Sequence, residues 1–142
     1  EMIKKCANAA AMALDCTVTL TFGLSDFADM VRNYPLENKI TELMAGYGLK
    51  VGDVPPASGS SDVGNISYHC PAMQSMLSIT DENFALHTRD FRDATLKPQA
   101  HDAMAKGACC LADLSLKIFN DDSFRSTVYE AWQKELKKKQ SD

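Results

Sequence analysis

From Pro98 onward the sequence is patterned as two long amphipathic helices in tandem, and this is the strongest constraint on its fold. Pro98 suits a first helical turn, where its missing N–H costs nothing. Behind it Ala100, Met104, Gly107, Ala108, Leu111, Leu114 and Ile118 recur at three and four, forming one apolar stripe. The small residues Ala103, Gly107 and Cys110 would let another backbone approach closely. Asn120, Asp121 and Asp122 supply a stop and a new N-cap, after which Phe124, Val128, Trp132 and Leu136 follow at intervals of four.

Upstream the pattern is mixed. Met2, Ile3, Cys6, Ala9, Ala10, Ala13 and Leu14 share a helical stripe, predicting an Ala-rich helix that packs flat against a sheet. Residues 17–22 alternate, with Val18, Leu20 and Phe22 on one side and three threonines on the other. That predicts a half-buried strand stopped by Gly23. After a connector, Pro35 opens a helix carrying Leu36, Ile40, Leu43, Met44 and Tyr47, with Gly48 as its stop. Residues 49–56 hold Gly52, Pro55 and Pro56 and read as a linker. The run from Cys70 to Ile79 reads as a second strand, with Pro71 near its start. No internal repeat or low-complexity tract is present.

Composition narrows the function classes. The 142 residues are 45% hydrophobic and 24% charged, an ordinary globular balance that argues against disorder. A net charge of −4 disfavours nucleic acid as a partner, because phosphate affinity needs clustered cations. The one basic cluster, Lys134 with Lys137, Lys138 and Lys139, complements a helix C-terminus. No apolar run reaches the ~20 residues that span a bilayer, so no membrane role is expected. The five cysteines are odd in number, two are vicinal and none forms a Cys-x-x-Cys pair. Free thiols in a reducing cytoplasm are the expectation. The opening on Glu1, already inside a helical pattern with no N-cap ahead, reads as part of something longer.

Two polar segments could carry chemistry. Ser60, Ser61, Asp62, Asn65 and Ser67 stand between and beside Gly59 and Gly64. Such a run makes either a capped turn or a backbone cradle for a carboxylate or oxyanion. His87, beside Thr88 and Asp90, is either a metal ligand or general base, or a hydrogen-bonded loop histidine. His69 and Cys70 are adjacent and would point apart on a strand. His101 reads as solvent-facing, and the Cys109–Cys110 pair as helix packing, since neighbouring helical side chains diverge by about 100°. No Ser-His-Asp order, phosphate loop or dinucleotide fingerprint occurs.

The run Gly59-Ser60-Ser61-Asp62-Val63-Gly64-Asn65-Ile66-Ser67, then Pro71, then His87-Thr88-x-Asp90-Phe91, resembles the C-terminal part of the zinc-dependent aminoacylase/carboxypeptidase superfamily. The amidohydrolase branch, similar to aminobenzoyl-glutamate hydrolase and aminoacylase-like dipeptidases, has the nearest pattern. Cys6-Ala7-Asn8-Ala9-Ala10-Ala11 resembles the Ala-rich helix of that family's lid domain. The resemblance implies an α/β fold, the C-terminal half of a catalytic domain with helices on a mixed sheet. Residues 1–27 would be a lid (dimerisation) remnant and 28–142 the catalytic part. It implies His87 as the last protein ligand of a two-zinc centre, with cobalt or manganese as substitutes. Ser60, Asp62 and Asn65 would shape the pocket for a small amide or dipeptide substrate.

The departures are Ser61 in place of Thr, Asp90 in place of Glu, and Lys97-Pro98 in place of a Ser-type cap. The His-x-Asp and Glu-Glu elements that the family places upstream do not occur in this chain. No catalytic residue is therefore assigned within it, and the chain alone is expected to hold no zinc and to be inactive. It is expected to form homo-oligomers, because half a catalytic layer leaves apolar faces uncovered. One alternative is a non-catalytic interaction or oligomerisation module derived from that family; another is an unrelated helical domain with an accidental motif, in which His87 would be buried against apolar side chains.

Overall fold

A computed structural model describes residues 1–23, 26–52 and 59–141. These form six helices: α1 (Met2–Ala13), α2 (Tyr34–Gly46), α3 (Val63–Ser67), α4 (Arg89–Ala94), α5 (Pro98–Asn120) and α6 (Asp122–Ser141). Among the described residues there is no strand, and the α/β expectation is overturned: the fold is all-helical. Residues 17–22 and 70–79, both expected as strands, are not paired into a ladder. The alternation of Val18, Leu20 and Phe22 is a real local pattern, but a strand exists only through a neighbour that satisfies its backbone. Here Val18 and Phe22 stay exposed instead. Most of the linker expected at 49–56, from residue 53 on, and residues 57–58 ahead of the polar run lie outside the described residues.

The core lies where α2, α5 and α6 meet. Leu36 and Ile40 of α2 pack with Cys110 and Leu114 of α5 and Val128 of α6, flanked by Leu43, Met44, Met73, Ile118 and Phe124. Each helix end has an identifiable cause. Asn33 Oδ1 accepts from the Leu36 backbone N–H at 3.2 Å and starts α2. Gly48, at φ +73°, ends it in a Schellman arrangement, with Leu49 N donating to Met44 O and Gly48 N to Ala45 O. Asp121 Oδ1 accepts from Phe124 N at 2.8 Å and starts α6.

The buried stripe of α5 differs from the expected one. Ala100, Ala103, Gly107, Cys110 and Leu114 face inward, while Met104, Ala108 and Leu111 face out. Small side chains sit at the closest approach: a Cβ added to Gly107 would lie 2.4 Å from Leu77 Cδ1. Leu77 thus crosses α5 directly over that glycine. Between Ile40, Met44, Leu77, Met104, Gly107 and Leu111 runs an apolar groove of about 380 Å³. Helix α1, by contrast, buries none of its residues.

Candidate functional site

The polar loop is built from local turns that place its side chains in different surroundings. Ser61 Oγ accepts from Val63 N at 3.2 Å, and α3 follows as little more than one turn. Asn65, expected at a substrate pocket, uses both ends of its amide on the chain itself. Its Oδ1 accepts from Ala28 N at 2.7 Å and its Nδ2 donates to Asp26 O at 2.8 Å. The side chain thereby acts as a short piece of backbone clamped onto residues 26–28. Gly64 is required beneath that clamp, because a Cβ there would lie 2.1 Å from Ala28 O.

Ser67, fully buried, completes the attachment. Its Oγ accepts from Val31 N at 2.9 Å and donates to Gly64 O at 2.6 Å. From the far side Trp132 Nε1 donates to Ser67 O at 2.7 Å, and Asn33 Nδ2 donates to Val128 O at 2.9 Å. Helix α6 therefore fixes both the loop and the entry to α2. Tyr68 OH donates to Asp29 Oδ1 at 2.7 Å, and Lys139 pairs with the same carboxylate. The Lys139 ammonium, then the Tyr68 hydroxyl, hold the Asp29 carboxyl below its ordinary range, and Asp29 in turn raises the Tyr68 phenol.

Ser60 and Asp62, the other two expected substrate residues, are exposed, and their side chains make no hydrogen bond or ion pair among the described residues. They are the part of this loop that a ligand could reach. Roles for Asn33 and Trp132 in positioning the loop were missed from sequence. Asn33, ahead of Tyr34-Pro35, carried a usable N-cap signal. Trp132 read only as one member of an apolar stripe.

His87 stands exposed at φ +63°, a left-handed conformation uncommon for a residue with a Cβ. The turn around it is built. Thr88 Oγ1 donates to Ala85 O at 2.8 Å and accepts from Phe91 N at 3.3 Å, capping α4. The imidazole thus sits on a fixed corner rather than in apolar packing. No hydrogen bond or ion pair among the described residues joins it to Ser60, Asp62 or Asn65, and it does not line the apolar groove. Nor is there, among the described residues, a group of three or more His, Cys, Asp or Glu side chains able to hold a metal ion. A zinc site needs three or four such donors, so the described residues do not by themselves fit a zinc pair.

Elsewhere Tyr47 OH donates to Asp113 Oδ2 at 2.7 Å, tying the end of α2 to α5. That bond, then desolvation, pushes the phenol up to about 12. Burial raises the Cys110 thiol, an inert core sulfur. No helix among the described residues is long and apolar enough to cross a membrane. No protein-family model matches the chain, and neither a curated protein nor a solved structure is similar to it.

Proposed function

We propose that this chain is the C-terminal portion of a metal-dependent amidohydrolase or peptidase, acting in the cytoplasm on an N-acyl amino acid or dipeptide-like substrate. The reading rests on the two loop motifs. The observation that carries it furthest is His87: an exposed imidazole on a capped corner at positive φ, the kind of local strain that concentrates at functional sites. In this reading His87 contributes one ligand and Ser60 and Asp62 border the substrate. The remaining ligands and the general base come from outside these 142 residues. Asn65 holds the loop in place and does not touch substrate. The chain alone is inactive.

A second reading, a non-catalytic interaction module, is favoured by the internal use of Asn65 and by the bare face of α1. One experiment separates the two. The natural gene product containing this chain, purified with zinc or cobalt, is expected to hydrolyse N-acyl amino acids or dipeptides. His87→Ala should lower kcat/KM about 100-fold or more and release metal. A gene product that hydrolyses neither substrate, or whose rate and metal content ignore His87→Ala, would overturn the hydrolase reading. Turnover by the isolated chain would overturn its inactivity.

A further inference from the structure

The surface of this chain is too large for its mass. Its accessible area is 10873 Å², whereas a compact monomer of 15.6 kDa exposes about 7,300 Å². The excess, about 3,600 Å², is several times the ~800 Å² that each partner contributes to a standard interface. Two apolar elements contribute to it and lack cover. One is α1, whose stripe of Met2, Ile3, Cys6, Ala9, Ala10 and Ala13 faces solvent entirely. A 12-residue helix with no packed face is marginal in water. The other is the groove rimmed by Met104 and Leu111, 68% and 53% exposed, on the outer side of α5.

We propose that two copies of this chain form a closed pair in which α1 of each lies in the groove between α2, α5 and residues 71–80 of the other. The contact is reciprocal, so a two-fold axis satisfies both elements at once and leaves neither a free helix nor a free groove. The small residues Ala9, Ala10 and Ala13 let α1 sit low in a narrow groove, with Ile3 and Met2 as its larger contacts. The flanking Glu1 and Asp15 balance Lys4 and Lys5, and no charged residue lines the groove, so apolar contact and not charge drives the pairing. The inference is independent of the proposed activity.

Sedimentation of the whole chain over about 1–100 µM tests it, since a dimer is concentration-dependent by mass action. The expected result is a single closed species of twice 15.6 kDa. Ile3→Glu and Leu111→Glu each place a charge in the buried contact and should weaken the pair at least ~10-fold. Both positions are exposed within one copy, so the loss of helix content by circular dichroism should not exceed the 12 residues of α1, which lose their cover when the pair separates. An equimolar mixture of the two variants restores one intact contact and should associate more tightly than either variant alone. A monomer throughout the range, association that grows without limit, a pair indifferent to Ile3→Glu, or no rescue on mixing would each overturn the proposal.

Discussion

Residues 1–23 and the assembly of α2, α5 and α6 are composed of similar side chains yet end in opposite conditions. Both carry apolar residues at helical spacing. In the assembly these meet across three helices, and polar side chains pin the result: Asn33 reaches Val128, Trp132 reaches Ser67, and Tyr47 reaches Asp113. In residues 1–23 none is buried, and the local features are a cation–π contact of Lys4 over Phe22 and a turn closed by Cys16 N on Ala11 O. Amphipathic pattern is therefore necessary for packing but does not by itself supply a partner.

The contrast predicts where substitutions act. Trp132→Ala should have the largest effect, about 3–5 kcal/mol in urea denaturation, from the lost ring and the orphaned Ser67 carbonyl. Met12→Ala on α1, 82% exposed, should stay within ~0.5 kcal/mol when measured in the monomeric Leu111→Glu background. Equal losses at the two sites would erase the distinction between the regions. Gly64→Ala comes next, at about 1–3 kcal/mol, because the new methyl must push residue 28 off the loop. The amide proton of Ala28 should then lose its protection by NMR exchange.

The smallest effect is alkaline. Tyr47 holds its proton to about 12 in the folded chain against an ordinary 10.0. The stability it contributes is fully present below pH 10 and falls as pH rises through 12, because the unfolded chain ionises first. Absorbance titration should show late tyrosinate steps from both Tyr47 and Tyr68, and in a Tyr68→Phe background Tyr47→Phe should remove the one that remains; its persistence there would assign it elsewhere.

How far the sequence could be read follows from the range of each interaction. Helices α5 and α6, the Asn-Asp-Asp break between them and the Gly48 stop were legible because periodicity and caps are local. The inward face of α5 was legible in part: Ala100, Gly107 and Leu114 are buried as the stripe implied, but Met104 and Leu111 face out while Ala103 and Cys110 face in, and the crossing of Leu77 over Gly107 carries no local signal. The strands were misread because alternation is local and pairing is not. Within the candidate site, His87 was visible as a residue type, but its left-handed corner was not. Asn65 was visible as an exposed polar group, but its two partners lie 37 and 39 residues away, beyond any local signal.

The central claim is that one copy of the chain holds together through α2, α5 and α6 while α1 buries none of its residues. Native-state hydrogen exchange on the Leu111→Glu monomer tests this most directly. The prediction is that amides between Ala103 and Leu114 exchange only on global unfolding, while those of Met2–Ala13 exchange nearly as fast as free peptide. Protection of α1 equal to that of α5 would contradict the account.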